Sequence, residues 1–173
     1  DSFMEFYGFT AKQAKAAIEK YRERFDHHGI YENEMYEGID KMLSNLKENK
    51  RTLAIASSKP TPLVIRVLDH FGIKEYFDYI VGSELDGRRG KKGGVVEEAL
   101  RLMVPKTLGV QERRAHIAMV GDRKFDVAGA KAFGLTSVGV SFGYAPAGEL
   151  EAAGADYIVD TVSELEAILM KGD

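Results

Sequence analysis

Two aspartates four residues apart, Asp122 and Asp126, form the pattern in this sequence that is best suited to chemistry. They follow an apolar segment, residues 116–120, that is typical of a strand, and a helix is predicted directly after it. Carboxylates at this spacing can share one helix face, where they repel each other unless a cation such as Mg²⁺ lies between them. The alternative is that Asp122 caps the helix and Asp126 is a solvated acid of its first turn.

A pair of serines, Ser57 and Ser58, follows a second apolar segment, residues 51–56. Hydroxyls and free backbone N–H groups at the end of a strand can hold phosphate oxygens. Ser57 as a nucleophile would need a base, and no His, Asp or Glu lies close to it in the sequence. Phosphate binding is therefore the better functional interpretation, with ordinary turn serines as the structural alternative.

A glycine-rich loop, residues 86–94, carries four cations between positions 88 and 92. It lacks the full phosphate-binding G-x-x-x-x-G-K-[ST] pattern, and no aromatic residues alternate with its cations to stack bases. A solvated loop explains most of these charges. A single lysine that reached a bound phosphate would still matter, since a separation of about 4 Å gains roughly 4 kcal/mol at an effective dielectric near 20. The four histidines show no metal-ligand spacing, and structural roles are expected for them.

Composition narrows the class of protein. The 173 residues suffice for one domain with a small attachment, and 45% hydrophobic with 29% charged residues is ordinary for a globular protein. A net charge of -3 gives no general attraction to nucleic acid or to an anionic membrane. The absence of cysteine excludes disulfides and cysteine-ligated zinc. No apolar run is long enough to span a bilayer and no signal peptide is visible, so a cytoplasmic location is expected.

Apolar periodicity predicts two parts of the chain. A helical piece covers residues 1 to about 35, with a clear helix at 10–25 that opens on a capping-box pattern. Residues 36–173 alternate strands with helices, which indicates a Rossmann-like, doubly wound α/β domain with a parallel sheet and helices on both faces. The predicted strands are 51–57, 79–81, 116–120, 137–142 and 157–159, of which 116–120 is expected to be buried. Thr61 is the N-cap candidate for the helix that follows the first strand, and another helix is predicted at 95–103. Ligands of such sheets bind at the carboxyl ends of the strands.

Taken in order, these elements resemble the haloacid dehalogenase superfamily of phosphatases, and within it the phosphoglycolate phosphatases. The resemblance rests on residues 55–60, on 81–87 leading to Lys92, on 119–122 with Asp126, and on 139–144 and 153–160. It implies that Ser57, with Ser58, binds the transferring phosphoryl group, that Lys92 neutralises it, and that Asp122 is a Mg²⁺ ligand. Asp126 would assist through a bound water or by orienting its neighbours. Residues 1–35 would be the later helices of a small cap.

One part of the family pattern is missing from the sequence. The first motif of the family, Asp-x-Asp-Gly-Thr after the first strand, occurs nowhere here. By resemblance, its first aspartate would form an aspartyl-phosphate and its second would act as acid and base. We expect the missing strand, with roughly 40–50 residues, to be encoded upstream, cleaved but still bound, or present as another chain. It would lie in the middle of the sheet beside the strand that ends at Asp122, and without it we expect an inactive chain with exposed backbone groups on two strands.

The resemblance implies a Mg²⁺-dependent phosphatase that acts on a small phosphorylated metabolite. A phosphomutase on the same scaffold and a non-catalytic binding protein of this fold stay open as alternatives. A receiver-like signalling domain is disfavoured because the helical piece has no place in one. The sequence leaves the substrate open among phosphoglycolate, other small organic phosphates, nucleotides and pyrophosphate, and it does not indicate an oligomeric state.

Overall fold

A computed structural model describes residues 2–84, 92–104 and 109–171 of the chain. It divides the chain into two compact units, Asp1–Met35 and Tyr36–Asp173. Within the described ranges, no helix has the length and apolar character needed to cross a membrane.

The smaller unit is helical. Helix α1 (Ser2–Tyr7) is followed by α2 (Ala11–His27) and by a short 3-10 turn, Gly29–Tyr31. The predicted capping box opens α2, because Thr10 Oγ1 accepts the Gln13 backbone N–H at 3.4 Å while Gln13 Oε1 accepts that of Thr10 at 2.9 Å. The helix predicted at 10–25 is therefore confirmed, whereas α1 was not predicted.

The larger unit alternates strands and helices, as predicted. Its elements are α3 (Ile39–Glu48), β1 (Ala54–Pro60), α4 (Thr61–His70), β2 (Tyr79–Ser83), α5 (Lys92–Met103), α6 (Val110–His116), β3 (Ala118–Gly121), α7 (Lys124–Ala132), β4 (Thr136–Val140), α8 (Glu149–Ala153), β5 (Tyr157–Val159) and α9 (Val162–Met170).

Two local predictions were wrong. His116 is the exposed last residue of α6 and does not begin a buried strand. Thr61 is the first residue of α4 and not its N-cap, and its Oγ1 accepts the Gly82 backbone N–H at 3.0 Å instead. In both places a tertiary or helical contact overrides the local pattern from which the element boundary was predicted.

The strands pair in parallel, which confirms the α/β class, but the described strands form two sheets. One sheet has the order β1-β2 and the other β3-β4-β5. In the first, Ala56 lies opposite Val81, and in the second Val120 lies opposite Val138. Among these strands β1 pairs only with β2 and β3 only with β4, so each keeps one edge without a strand partner.

A large cleft separates the two unpaired edges. This central cleft has a volume of about 1310 Å³ and is lined by residues 52–57 on the β1 side and 114–120 on the β3 side. Apolar residues of α3, α5 and α9 complete its walls. Val120, which lies in β3, is 38% exposed because it lines this space.

Helices α5 and α7 connect the two sheets. Helix α5 packs against β1 and β2, α7 packs against β3 and β4, and the two helices contact each other. Val96 of α5 and Ala130 of α7 belong to one buried apolar cluster, against which Ala56 and Met119 pack from β1 and β3. This helical layer holds the ends of β1 and β3 in a common region.

Candidate functional site

Lys92 lies between the two sheets. Its Nζ is 2.7 Å from Asp126 Oδ1 and donates a hydrogen bond of 3.0 Å to the backbone carbonyl of Ala56. Ala56 lies in β1, and Asp126 lies in the first turn of α7, which follows β3. The carboxyl-terminal halves of β1 and β3 therefore point to the same edge of the molecule, where parallel α/β sheets place their ligands.

Asp126 is buried, with an exposed fraction of 7%. Its Oδ1 pairs with Lys92 and its Oδ2 accepts the backbone N–H of Arg123 at 3.0 Å. The carboxylate packs so closely on the end of β3 that a Cβ at Gly121 would lie 2.2 Å from it. The alternative of a solvated first-turn acid is therefore wrong for this residue.

Asp122 lies in the bend between β3 and α7, before the helix begins. The helical i, i+4 relationship that was assumed for Asp122 and Asp126 therefore does not apply. Asp122 does not cap α7 either, because Arg123 occupies that position and Asp122 Oδ2 accepts the backbone N–H of Tyr144 at 2.9 Å. A Cβ at Gly143 would lie 2.3 Å from the Asp122 Cβ, so the loop after β4 closes directly over this side chain.

The two serines occupy the carboxyl-terminal part of β1 and have different surroundings. Ser57 is half-buried, lines the central cleft and accepts the Lys59 backbone N–H on its Oγ at 3.1 Å. Ser58 is exposed, and its carbonyl accepts a hydrogen bond of 2.9 Å from the Ser83 hydroxyl. Ser57 directly follows Ala56, which places it next to the carbonyl that Lys92 contacts, whereas Ser58 is tied towards β2.

A second cation lines the cleft near these groups and was missed in the sequence. Lys59 is half-buried, and burial lowers the pKa of its ammonium group. Residues 86–91 of the basic loop lie outside the described residues. Lys92, the member of that loop singled out for phosphate, is helical because α5 extends three residues further towards the amino terminus than predicted.

Glu149, at the start of α8, holds the turn that carries the two aspartates, and sequence reasoning missed it as well. It accepts hydrogen bonds from Arg123 Nε at 2.7 Å and Nη2 at 3.3 Å, and from the Lys124 backbone N–H at 3.0 Å. The bond from Arg123, together with that from the Lys124 backbone, lowers the pKa of Glu149 to about 2. No local pattern could have indicated this contact, because it joins elements that are distant in the sequence.

The donor groups suit a phosphate with a hard cation. Lys92 and the Ser57 hydroxyl can neutralise and orient a phosphate, and Asp122 keeps one carboxylate oxygen without a hydrogen bond from the described residues. Both Asp126 oxygens are engaged, which fits a supporting role better than direct coordination. Across the described ranges, no three acidic or histidine side chains cluster tightly enough to hold a metal by themselves. A Mg²⁺ ion at Asp122 would therefore need further ligands.

Comparison with known proteins places the chain in a family. The model of the haloacid dehalogenase-like hydrolases matches residues 2–140. A 5'-nucleotidase of Pseudomonas aeruginosa is 35% identical over 167 residues, covering 96% of this chain and 72% of the relative. The tyrosine-protein kinase PtkA of Mycobacterium tuberculosis is 36% identical over 160 residues, covering 91% and 53%. A phosphoglycolate phosphatase of Vibrio parahaemolyticus is 31% identical over 150 residues, covering 84% and 63%.

A solved structure agrees with these relatives. The crystal structure of a predicted phosphatase from Clostridium acetobutylicum superposes with a TM-score of 0.86 at 40% identity, over 98% of this chain and 76% of that one. The chain thus spans between about half and three quarters of the length of these four proteins. Its family match, its phosphatase relatives and its parallel α/β fold together show that the chain belongs to the haloacid dehalogenase-like hydrolases.

Proposed function

We propose that this protein is a Mg²⁺-dependent phosphatase of small phosphomonoesters, with its site at the carboxyl ends of β1 and β3. The observation that carries the proposal is the position of Lys92, whose ammonium bridges the Ala56 carbonyl and the Asp126 carboxylate. This position puts a cation beside Ser57 and between the two strands. Relatives that are named as phosphatases support the same reaction class.

Each predicted residue receives a role from its surroundings. Ser57 would donate a hydrogen bond to the phosphoryl group and Lys92 would neutralise it, with exposed Ser58 contributing at the periphery. Asp122 would bind Mg²⁺ with its remaining oxygen, and Asp126 would fix Lys92 and the start of α7. The cation, when bound, supplies neutralisation of the charge on the phosphoryl oxygens.

The nucleophile is proposed to come from a strand that fills the central cleft. The unpaired edges of β1 and β3 both border this space, and unpaired backbone groups are rarely left buried in native proteins. A strand parallel to both would end beside Lys92. A carboxylate there would attack phosphorus and form an aspartyl-phosphate as the P–O bond to the leaving alkoxide breaks, and a second acid would protonate that alkoxide to the alcohol. Water, deprotonated by the same group, would then attack phosphorus and release inorganic phosphate and the free carboxylate.

The smaller unit, residues 1–35, is proposed to be part of a helical cap subdomain, as the family resemblance implies. Substrates would be small phosphorylated metabolites of the cytoplasm, and neither nucleic acid nor a membrane is expected as a partner, given a net charge of -3.

The test compares the chain alone with the chain extended by the residues encoded directly upstream of it. Release of inorganic phosphate is measured for phosphoglycolate, nucleoside monophosphates and pyrophosphate, with Mg²⁺ and with EDTA. We expect Mg²⁺-dependent release from the extended protein only, and its loss in Asp122→Asn with an unchanged circular dichroism spectrum. Asp40→Asn, at an exposed position in the first turn of α3, is the control.

Four results would contradict the proposal. An upstream sequence without an Asp-x-Asp pair removes the proposed nucleophile. Full activity in Asp122→Asn removes the metal role of that residue. An isomerised sugar phosphate without free phosphate indicates a mutase, and the absence of turnover with any substrate indicates a binding protein.

A further inference from the structure

We infer that Glu149 is a positioning residue that sets the geometry of the turn carrying Asp122 and Asp126. The inference rests on the proposed function for its consequence, since that function makes the turn part of a metal and phosphate site. The contacts that Glu149 makes with Arg123 and Lys124 determine where the turn lies, whatever the site binds.

The contact between Glu149 and the turn is more than a surface ion pair. The carboxylate receives both a side-chain fork and a backbone N–H, from Arg123 and Lys124, and its side chain is only 12% exposed. Bidentate arginine–carboxylate pairs fix orientation as well as distance. Lys124 is the first residue of α7, so its N–H is one of the helix donors that has no partner within the helix.

Arg123 is held on two sides. Its backbone N–H is bound by Asp126 and its guanidinium by Glu149. A displacement of Arg123 would therefore move the backbone N–H that donates to Asp126. The Asp126 carboxylate, which pairs with Lys92, would then move as well. Glu149 thus acts on the phosphate-binding cation through two intermediate contacts.

The same segment also contacts Asp122. Residues 143 and 144 lie against that side chain, through the close approach of Gly143 and the N–H of Tyr144. Glu149 comes five residues after Tyr144, so the segment 143–149 touches the turn at Asp122 and again at Arg123. The segment 143–149 therefore contacts the turn at both of its ends, and Glu149 makes the charged contact at its carboxyl-terminal end.

The decisive experiment measures amide hydrogen exchange and Mg²⁺ binding by NMR, in the extended protein of the test above and in its Glu149→Gln variant. We expect the amides of Arg123, Lys124 and Tyr144 to exchange about tenfold faster in the variant, and Mg²⁺ affinity to fall by about 10–100-fold. Arg123→Lys keeps the charge and loses the fork, so an intermediate effect is expected. Glu151→Gln is the matched control, because Glu151 is an exposed acid on the same helix.

The outcomes separate the inference from the proposed function. Faster exchange confined to Lys124 would show that Glu149 merely caps α7, and it would overturn the positioning role. The same conclusion would follow if both proteins bound Mg²⁺ with equal affinity. Faster exchange at all three amides without Mg²⁺ binding in either protein would support the positioning role and refute the proposed metal site. An effect of Glu151→Gln equal to that of Glu149→Gln would also overturn the inference.

Discussion

Lys92 and Asp126 form an ion pair of 2.7 Å in which the side chains are only 20% and 10% exposed. The pair connects α5, which packs on the first sheet, to α7, which packs on the second. Because both charges have lost most of their water, neither is expected to tolerate removal of the other.

The first prediction concerns this pair. Lys92→Met leaves the Asp126 carboxylate without its cation, and we expect the free energy of unfolding to fall by about 3 kcal/mol. The Lys92→Met, Asp126→Asn double variant should lose less than the sum of the two single variants, because the contact is shared. Urea unfolding measures all three. Lys41→Met, at an exposed site in α3, serves as the control and should change stability by less than about 0.5 kcal/mol.

The second prediction concerns Gly143. An alanine there would place its Cβ 2.3 Å from the Asp122 Cβ, so either the loop or the aspartate must move. If the proposed function holds, Gly143→Ala should reduce release of inorganic phosphate by the extended protein by about 10–100-fold.

A matched glycine is available as the control for Gly143. Gly93 lies in the first turn of α5, and no atom of the described residues lies within 4 Å of a Cβ added there. Gly93→Ala should therefore stabilise the protein by about 0.4–1 kcal/mol, as measured by thermal unfolding, and should retain activity. Equal losses of activity in the two variants would contradict the assigned role of the Gly143 contact.

The third prediction concerns acid stability. The pKa of Glu149 lies at about 2, below its usual value, because of the hydrogen bonds from Arg123 and Lys124. Its contribution to stability is therefore complete above pH about 4.3, the pKa of an unperturbed glutamate, and is lost as the pH falls towards 2. Between these values, the melting temperature of the wild type should approach that of Glu149→Gln, whereas at neutral pH the variant should melt lower. A constant gap between the two proteins down to pH 2 would be inconsistent with this linkage.

The fourth prediction concerns the central cleft. Val120 is 38% exposed in the cleft, so Val120→Asp should alter the stability of the chain by itself by only about 0.5 kcal/mol. It should strongly weaken recovery of activity when the proposed completing strand is added as a separate peptide, because a charge would then be buried. Ile158→Asp, an equally exposed strand position at 36%, is the control and should leave recovery unchanged. Equal behaviour of the two variants would argue against a strand in the cleft.

The sequence predicted those parts of the fold that local chemistry determines. Helix α2 follows from Thr10 and Gln13, whose capping box is formed as expected, and the five strands were placed to within a few residues. Helix α6 was not predicted because its residues have no apolar periodicity and none of them is buried. Its sequence is Val-Gln-Glu-Arg-Arg-Ala-His. Local patterns do not contain such an element.

The candidate site was predicted as residue types and not as contacts. The sequence was equally compatible with a solvated acid at Asp126, whereas the structure buries this residue against Gly121 and pairs it with Lys92 from another helix. No sequence pattern indicated a role for Glu149, because its partners Arg123 and Lys124 precede β4 in the sequence whereas Glu149 follows that strand. These relationships depend on how the strands are ordered in space, which residue spacing alone does not encode.

The division of the strands into two sheets has a consequence for folding cooperativity. Since no strand bonds β1 to β3 within the described part of the chain, the β1-β2 half and the β3-β4-β5 half are joined through helices, by the packing of α5 on α7 and of α3 on α9. Each half should then open with its own free energy, as separate cooperative units do in native-state hydrogen exchange. A strand that paired with both edges would make the β1-β2 and β3-β4-β5 halves unfold together. Whether a strand occupies the cleft would then decide whether the larger unit unfolds in one step or in two.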